Sequence, residues 1–502
     1  NHPSRASALH PRHAFPQRCM AALCTILTAV THGTVTPPRV APGPSFWAAL
    51  FGLALDGSPW QYMLRLRQNG FDEVARVPLG PAGEFYFLMS PQAVKQVCVD
   101  DAASFPRRFS VPLFSTLQLD NGIVYEQGAR HKRQKRLCIP SFENSASMAS
   151  FLEAVKEEVV ATSADWTARL AAGEPRLDLY REMRRMTLSV VLRVTFGLGG
   201  AVKEYARADE LSQVIGDYLE AIVATANEVP PLWQVAPRLS RNYVAVTETL
   251  LPRLRELVSD VIAQRRSDEG DDGRGSGGVS SDLLSVLVKQ PGLSDEDIQY
   301  ILFDLVIAGS DTTASTLTAA FFLLHEKPHA AALAAARKEA AAVDVGELAL
   351  DEIRLALPYA TAIGRETLRL YPPVPFIGRT SVADARVGAA MVPSGSTMCW
   401  SPYYLGREPT SWRSDADKFR PERWVDDPIS GGAPSSFCWL PFGAGARGCL
   451  GTRLGLTEVV VGVSAFLRNF DFSFEREELK YKYDLTLNLE NSCVCTIARR
   501  EV

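Results

Sequence analysis

A single cysteine stands in a segment that is rich in glycine and almost free of large side chains. The segment reads FGAGARGCLG, from Phe442 to Gly451, and Cys449 is its only thiol. Glycine is favoured where the backbone adopts positive φ or lies against a bulky group. A cysteine that merely fills an apolar core needs no such neighbours. A thiolate that binds haem iron does, because backbone amides aimed at the sulfur tune its basicity. Two interpretations of Cys449 are open on this pattern alone, a buried cysteine that packs as a small hydrophobic side chain and a thiolate ligand to haem iron.

The neighbours of Cys449 would suit the haem-ligand interpretation. Gly443, with the glycine two residues later, can build a bulged loop that presents amide groups to the sulfur. Phe442 can shield the sulfur, and Arg447 can pair with a haem propionate. Gly451 allows the following helix to pass close beneath the ring. We therefore expect the whole segment to bind the cofactor.

A second group of residues that could do chemistry lies earlier in the chain, in the segment AGSDTT. Ala308 and Gly309 lack bulk, so a helix that carries them can lie flat across a haem face. The Thr312 hydroxyl can donate to the carbonyl of Ala308 one turn back, as Ser and Thr often do within helices. Asp311 can relay protons into the groove that this opens. An acid–alcohol pair of this kind can supply the protons that heterolytic cleavage of dioxygen requires.

Both motifs resemble those of the cytochrome P-450 family, in its eukaryotic-type branches. Residues 442–451 match FxxGxRxCxG at every fixed position, and AGSDTT is similar to the family's oxygen-activation motif. The resemblance spans residues 59–502. It implies a single large domain that is mainly α with a minor β part and a long central helix. It also implies haem b (iron protoporphyrin IX) as the cofactor, with Cys449 as the thiolate ligand to its iron.

The segments ETLR and FRPERW carry the resemblance further. Glu366 and Arg369, with Arg423 downstream, resemble the family's buried Glu–Arg–Arg triad. By themselves a glutamate and an arginine three residues apart are an ordinary surface pair. The resemblance implies a structural rather than a catalytic role for this triad.

A basic segment, ARHKRQKRLCIPSF, resembles the family at another haem contact. The resemblance places His131 and Lys135 within reach of a propionate, although the family more often has arginine at the second position. Lysine can still pair with a carboxylate, without bidentate geometry. Arg379 is a further propionate candidate in the family pattern. The other basic residues of the segment are expected to face outward, as a plain solvated surface or as a dock for an acidic electron-donor protein.

The resemblance implies an oxidoreductase that inserts one oxygen atom from O2 into an apolar, lipid-like substrate. Electrons would come from a separate NAD(P)H-dependent reductase or a ferredoxin-type donor, since no flavin- or nicotinamide-binding segment is evident. One alternative is a haem-thiolate isomerase or dehydratase acting on a peroxide, which needs no proton relay. Another is a haem-based sensor or electron carrier that is not an enzyme. The pair formed by Asp311 and Thr312 favours the monooxygenase.

Composition and the amino-terminal region set further limits. The net charge of −4 and 22% charged residues argue against nucleic acid as a partner. Residues 1–55 contain no acidic side chain and include a proline-rich stretch, so we expect a leader or a membrane-associating segment there, followed by the haem domain at 56–502. An organelle transit peptide and a truncated anchor both fit. The protein is expected to be intracellular, with peripheral membrane contact, at the endoplasmic reticulum or in a plastid.

These residues need particular elements to hold them. Residues 74–90 alternate apolar side chains around a Gly-Pro-Ala-Gly turn and predict a hairpin, and residues 483–498 predict a second one. A helix of about thirty residues is expected to begin near Ser294, with Asp297 in a capping box, and to end near His325. Residues 270–281 are expected to form a surface loop. Substrate contacts are expected from residues 105–126, residues 374–377, the helix face that bears Phe303 and Ile307, and the tip near Ser492.

Overall fold

The long helix predicted from the sequence runs through the middle of the molecule. The computed structural model describes residues 41–79, 83–110, 112–117, 119–197, 207–226, 228, 230–271, 282–425, 435–476, 478–484, 486–489 and 493–500. In it the helix spans Asp295–His325. Its amino terminus has the predicted capping box. The Ser294 hydroxyl accepts a hydrogen bond of 3.1 Å from the Asp297 amide, and the Asp297 carboxylate accepts one from the Ser294 amide. The prediction of this helix is confirmed.

Helices make up most of the described chain, and the prediction of a mainly α fold with a minor β part is confirmed. Two of them, Pro91–Lys95 and Arg241–Val244, continue directly into π-helical turns, which span Gln96–Asp100 and Ala245–Leu250. The helices are α1 Phe46–Asp56, α2 Pro59–Gln68, α3 Pro91–Lys95, α4 Pro112–Thr116, α5 Gly128–Glu143, α6 Ser145–Ala171, α7 Leu179–Phe196, α8 Ala208–Ala226, α9 Leu232–Val235, α10 Arg241–Val244, α11 Leu251–Asp271, α12 Leu283–Val288, α13 Asp295–His325, α14 Ala330–Ala342, α15 Ile353–Ala356, α16 Pro358–Leu370, α17 Pro402–Leu405, α18 Pro409–Trp412 and α19 Thr452–Asn469.

The strands form small sheets beside the helices. The strands are β1 Val74–Pro78, β2 Glu84–Leu88, β3 Arg107–Arg108, β4 Arg176–Asp178, β5 Ile377–Thr380, β6 Ala385–Val387, β7 Ala390–Val392, β8 Thr397–Trp400, β9 Phe470–Phe474, β10 Tyr481–Asp484, β11 Thr486–Leu489 and β12 Val494–Arg499. The largest sheet has the order β1-β2-β8-β5-β3, in which only the β2–β8 pairing is parallel. A second sheet has the order β4-β12-β9, and β6–β7 and β10–β11 are separate antiparallel pairs.

The two hairpin predictions had different outcomes. Strands β1 and β2 pair antiparallel, as expected for residues 74–90. The second prediction, over residues 483–498, was wrong in its pairing. Strand β11 pairs back to β10, whereas β12 pairs with β9 and β4. Alternation marks a strand but not its partner, and β12 finds longer-range partners because its apolar face packs into the helical core, where Cys495 and Ile497 are buried.

Two hydrophobic cores hold the elements together. The larger lies among α6, α7, α13 and α19, where Trp166 stacks on Phe466 with ring centroids 4.8 Å apart. The smaller lies between the five-stranded sheet and the first helices, and it includes Ala49 and Leu53 of α1. The last residues of the predicted leader therefore pack on the sheet. Residues 1–40 and 272–281, which include most of that leader and of the predicted surface loop, lie outside the described residues.

Candidate active site

The loop before α19 presents Cys449 to a large internal cavity. Two glycines shape this loop with positive φ, Gly443 at 69° and Gly445 at 65°. A Cβ at Gly445 would also lie 2.1 Å from the carbonyl oxygen of Cys98, so a side chain is excluded there by contact as well. The Cys449 amide donates to the carbonyl of Phe442 at 2.9 Å, which closes the turn. The thiol therefore stands on a rigid loop and is exposed to the cavity.

The surroundings of the Cys449 thiol partly favour its thiolate. Burial raises the pKa of the thiol, while a hydrogen bond from the Gly451 amide and the charges of Arg108 and Lys135 act in the opposite direction. Backbone amide donation to sulfur is what a metal-bound thiolate needs, because it limits the basicity of the ligand. The amide comes from Gly451, whereas Gly443 and Gly445 supply the turns that place the sulfur beside it.

A cluster of cationic side chains lines the same cavity. Three of its members, Arg108, Lys135 and Arg447, are lining residues with His131 beside them, and the fourth, Arg379, lies opposite Arg108 and outside the lining. The pKa of Arg379 falls to about 9 and that of Arg447 to about 10, in both cases because of burial and then of the positive charge of Arg108. Buried like charges are unfavourable unless an anion joins them. This wall of the cavity is therefore suited to carboxylates.

Arg108 is the member of this cluster that sequence reasoning missed. It lies on β3 directly opposite Arg379 on β5, in an antiparallel pair. Side chains at opposed positions project from the same face, and like charges there repel. Within the described residues, buried guanidinium nitrogens of Arg108, Arg379 and Arg447 have no hydrogen-bond partner. A strand of two residues is too short to show an alternating pattern in the sequence, and its partner strand lies far along the chain.

His131 and Lys135 project from α5 into the cavity. The pKa of His131 falls to about 3, first because it is buried and then because Arg447, Lys135, Arg108 and Arg379 surround it. This imidazole is therefore neutral and can act as a hydrogen-bond donor. The Lys135 ammonium donates to two carbonyls of the cysteine loop, those of Ala446 at 2.7 Å and Gly448 at 2.8 Å. Lys135 thus holds the loop in addition to lining the cavity.

The central helix forms the opposite wall of the cavity, where Ala308, Gly309 and Thr312 line it. The predicted hydrogen bond from the Thr312 hydroxyl to the carbonyl of Ala308 is present at 2.8 Å. The missing side chain of Gly309 serves a different contact, since a Cβ there would come within 2.7 Å of Val191 Cγ2 on α7. Ala308 and Thr312 face the cavity, and Gly309 also allows the two helices to pack closely.

Asp311 lies on another face of the central helix and does not line the cavity. Its carboxylate accepts from the Tyr180 hydroxyl at 3.2 Å and forms an ion pair with Arg184 at 3.2 Å. Both partners belong to α7. Successive residues of a helix point about 100° apart, so the neighbour of a cavity residue faces the adjacent helix. A rotation of the side chain is needed before Asp311 can reach the cavity.

The predicted triad forms a buried network between α16 and the segment that contains Arg423. Arg369 donates two hydrogen bonds of 2.8 Å to the Glu366 carboxylate, and Arg423 donates a third at 3.0 Å. Burial alone would raise the pKa of Glu366, but these donors hold it below its usual range. The Trp424 indole also donates to this carboxylate at 2.8 Å. A network that satisfies a buried carboxylate so fully fixes one arrangement of the loops around it.

A buried carboxyl at the cavity, that of Glu458 on α19, is another feature that sequence reasoning missed. Burial raises its pKa to about 8, and a hydrogen bond with Thr313 of the central helix opposes that effect. One oxygen of the carboxyl has no partner among the described residues. The sequence places Glu458 about two helical turns into the helix that follows Cys449. That spacing can be read from the sequence, but a lone glutamate does not by itself indicate a functional residue.

The walls around the predicted substrate space are largely apolar. Val374 and Ile377 line the cavity, as expected for residues 374–377, and Ile123 and Val124 do so from residues 105–126. From the central helix Leu305 lines it, rather than the expected Phe303 and Ile307, which pack in the core. Ser492 lies outside the described residues.

Comparison with known proteins decides the family. A family model described as Cytochrome P450 matches residues 37–492. The chain belongs to the cytochrome P450 family. This P450 is 30% identical to "Cyclooctatin synthase" of Streptomyces melanosporofaciens over 85% of its own length and 88% of that protein. It is 29% identical to "Cyclooctat-9-en-7-ol 5-monooxygenase" of the same organism, over 86% and 91%. It is 25% identical to "Protein LUTEIN DEFICIENT 5, chloroplastic" of Arabidopsis thaliana, over 82% and 68%.

Family membership gives the cofactor and the class of reaction. The family binds haem b, and this P450 is an oxidoreductase that incorporates oxygen from O2 with a redox partner and a substrate. The residues fit the cofactor, because the thiol of Cys449 stands at one wall and unpaired guanidinium nitrogens stand at the cavity edge. Among the described residues there is no cluster of His, Cys, Asp and Glu that could hold a metal ion by itself. No helix of the described chain is long and apolar enough to span a bilayer.

Proposed function

We propose that this P450 inserts one oxygen atom from O2 into an apolar, lipid-like substrate, with electrons from a separate donor protein. The observation that carries the proposal is that one cavity is lined by Cys449, by Arg108, Lys135 and Arg447, by Thr312, and by apolar side chains such as Val374 and Ile377. The haem would supply the activation of dioxygen when bound. The residues of the chain would hold the haem, admit the substrate and deliver protons.

Cys449 is proposed as the iron ligand. Its support is the glycine-built loop, the Gly451 amide on the sulfur and the exposure of the thiol to the cavity. Arg379, Arg447 and the neutral His131 are proposed to bind the propionates. Arg447 and His131 line the cavity, and guanidinium nitrogens of Arg379 and Arg447 have no hydrogen-bond partner among the described residues. Lys135 would act on the loop that carries Cys449 as well as on a propionate. Phe442, Gly443 and Gly451 complete the proposed cofactor surface.

Thr312 and Asp311 are proposed to deliver protons to the oxygen side of the cavity. The Thr312 hydroxyl donates a hydrogen bond to a helix carbonyl, and its oxygen can accept a hydrogen bond from a group in the cavity. Asp311, held by Arg184 and Tyr180, would take up protons on the α7 side and bring them to Thr312 by rotation of its side chain. A positioned general acid typically contributes ~10²–10⁴-fold to a rate.

The two rival functions receive less support. An isomerase or dehydratase acting on a peroxide needs no proton relay, so Asp311 and Thr312 would have no task. A sensor or electron carrier needs no apolar cavity beside the central helix, whereas Val191, Val374 and Ile377 line one. The relatives named above as a synthase and a monooxygenase favour an enzyme.

The substrate is proposed to be lipid-like because the cavity wall opposite the cation cluster is apolar. One relative is named as a monooxygenase of cyclooctat-9-en-7-ol, and the name of another refers to a deficiency of lutein. Both names refer to largely hydrocarbon molecules. The hydroxyl of Thr312 and the carbonyl of Ala308 lie beside this wall. Carotenoids, sterols and fatty acids are therefore the classes that we propose to test first.

An intracellular, membrane-associated location, in the endoplasmic reticulum or a plastid, is proposed on separate grounds. Trp47, Phe51 and Leu55 expose about two-thirds of their surface along one side of α1. Side chains four residues apart on a helix share a face, so these three form an apolar stripe that suits a bilayer surface. Flotation with liposomes tests the contact, and a triple exchange to serine should abolish it.

The decisive experiment combines isotopic labelling with exchange of Thr312. The haem-loaded protein, a reductase and NADPH are supplied with labelled O2 and with carotenoids, sterols or fatty acids in turn. The proposal expects one labelled oxygen atom in a product. Thr312→Ala should still bind haem and substrate, consume NADPH and release hydrogen peroxide, while the yield of product falls.

Thr318→Ala is the matched control, because the Thr318 hydroxyl makes the same 2.8 Å bond to a carbonyl four residues back but is buried away from the cavity. It should keep normal coupling. An isomerase would use no NADPH and would incorporate no label. Unchanged coupling in Thr312→Ala would leave the hydroxyl as a packing feature and refute the proton-delivery role.

A further inference from the structure

The loop that precedes α5 forms part of the wall of the substrate space. Ile123 and Val124, at its centre, line the cavity. The loop is tied at one side to α5, where the Gln134 side chain donates to the carbonyl of Asn121 at 3.0 Å. At the other side it lies on the central helix. Its position there decides how far two apolar side chains reach toward a substrate.

One buried carboxylate makes the contact with the central helix. Asp304 accepts a hydrogen bond of 2.6 Å from the backbone amide of Val124. Asp304 itself is 6% exposed and does not line the cavity, although its neighbour Leu305 does. A buried carboxylate is unfavourable unless it is hydrogen-bonded. Its presence in an apolar core therefore calls for a reason, and the Val124 amide supplies one.

Gly122 shows how closely the loop rests on Asp304. A Cβ at this position would lie 2.4 Å from the carboxyl carbon of Asp304 and 2.7 Å from the carbonyl oxygen of Tyr300. Such distances are excluded for real side chains, so only glycine permits this approach. The carboxylate and the glycine together seat the loop against the helix.

The neighbours of Asp304 leave this amide as its main anchor. Burial raises the pKa of Asp304 to about 7, the Val124 amide and the charge of Arg108 lower it, and Asp120 raises it. Tyr218 of α8 lies on the other side, beside a small cavity that Asp304 also lines. Asp304 thus lies where the loop, α8 and the central helix meet.

We propose that Asp304 is a positioning residue for substrate selection. Its carboxylate fixes the Val124 amide, and thereby holds Ile123 and Val124 at a set depth in the cavity wall. Asp304 touches neither cofactor nor substrate and acts through the loop. The proposal rests on the haem cavity described above, and not on the identity of the substrate or on turnover.

The test uses the haem-loaded protein and two azole probes, imidazole and 4-phenylimidazole. Both bind haem iron and shift its absorption band, but only the second carries a phenyl group that reaches the walls. The ratio of their dissociation constants isolates the contribution of the walls. Asp304→Ala should reduce the preference for 4-phenylimidazole by about tenfold, the usual scale for loss of a hydrogen bond to a charged group. Asp304→Asn keeps an acceptor oxygen and should remain within about twofold of the wild type.

Hydrogen exchange of the Val124 amide gives a second readout that does not depend on ligands. Protection should be lost in Asp304→Ala and kept in Asp304→Asn. Asp295→Ala, at the exposed start of the same helix, is the control and should change neither readout. If Asp304→Ala fails to retain haem, Gly122→Ala tests the same point, because it displaces the loop while the carboxylate remains.

An unchanged azole ratio in Asp304→Ala, or in Gly122→Ala where Asp304→Ala does not retain haem, would overturn the proposal. So would equal effects of Asp304→Asn and Asp304→Ala, because that result would mean that charge rather than the hydrogen bond matters. Neither measurement requires catalysis, so failure of the proposed monooxygenase reaction would leave this result readable.

Discussion

At the scale of single residues, the site depends on groups that are left unsatisfied inside the protein. Among the described residues, the guanidinium groups of Arg108 and Arg447 have unpaired nitrogens at the cavity, and the thiol of Cys449 faces the same space. In contrast, Glu366 in the structural triad has its hydrogen-bonding capacity met. Unmet capacity in a buried place marks a site for a ligand, and met capacity marks a structural element.

Exchange of Cys449 tests the ligand assignment at this scale. Reduced protein with carbon monoxide should give the long-wavelength Soret band of a thiolate-bound haem, and Cys449→Ser should lose it because a hydroxyl is a far weaker donor to iron. Absorption spectroscopy makes the measurement. Cys438→Ser is the matched control, since Cys438 is buried near Ser411 and does not line the cavity. A Cys449→Ser protein that keeps the band would show that another group ligates the iron.

At the scale of elements, the packing of two helices sets the floor of the cavity. The central helix α13 crosses α7 where Gly309 meets Val191. The buried Thr187 hydroxyl of α7 also donates to the carbonyl of Ser310 at 2.8 Å. This contact fixes the rotation of α13, so that Thr312 faces the cavity and Asp311 faces α7. A change in the helix spacing would therefore move Thr312 and Asp311, the proposed proton-delivery groups, without touching them.

Exchange of Gly309 should show this coupling between the helices. Gly309→Ala places a Cβ about 2.7 Å from Val191 Cγ2, and overpacking of this kind destabilises a fold by ~1–3 kcal/mol. Val191→Ala removes the obstructing methyl groups, so the double variant should be more stable than the sum of the single changes predicts. Thermal unfolding of the haem-loaded protein measures the effect.

Gly216→Ala is the comparison for this cycle. A Cβ at Gly216, within α8, meets nothing within 4 Å, and alanine is the better helix former by ~1 kcal/mol. This variant should be as stable as the wild type or more so. Strict additivity of Gly309→Ala and Val191→Ala would mean that the two side chains do not limit the approach of the helices.

At the scale of the whole molecule, the basic face of α5 is the candidate surface for the electron donor. Lys132, Arg133 and Arg136 are exposed there. They differ in how free they are, because Arg133 donates to the carbonyl of Gly292 at 2.7 Å and so ties α5 to the loop before α13. Lys132 and Arg136 are therefore the better candidates for attracting an acidic partner.

Charge reversal tests this surface. Lys132→Glu with Arg136→Glu should slow reduction of the haem by its donor protein, since like charges then oppose the encounter. Raising the salt concentration should slow the wild type and narrow the difference, because exposed charges are screened over ~10 Å at 0.1 M salt. Stopped-flow reduction under carbon monoxide gives the rates.

Lys338→Glu, on the exposed side of α14, provides the control for net charge. It changes the net charge in the same sense, by half as much as the double reversal, outside the basic segment, and should leave the rate nearly unaltered. Equal rates for the wild type and the double reversal, with intact haem spectra, would leave the basic face of α5 as a solvated surface.

The sequence by itself determined the features that depend on neighbours in the chain. The glycines around Cys449, the capping box at Ser294 and the back-bond of Thr312 are local, since φ preference, capping and the helical repeat act within a few residues. The first hairpin is local for the same reason. The capping box and the helical repeat were enough to predict the central helix, and the residues around Cys449 predicted the cofactor through their resemblance to the family motif.

The tertiary structure alone decided which distant residues meet. Arg108 joins the cation cluster because β3 pairs with β5, Asp311 turns toward α7, and Asp304 holds a loop that lies far from it in the chain. The pairing of β12 with β9 and β4 is of the same kind. Such contacts depend on how elements pack after they form, and the same local pattern is compatible with many partners, so no single sequence pattern specifies them.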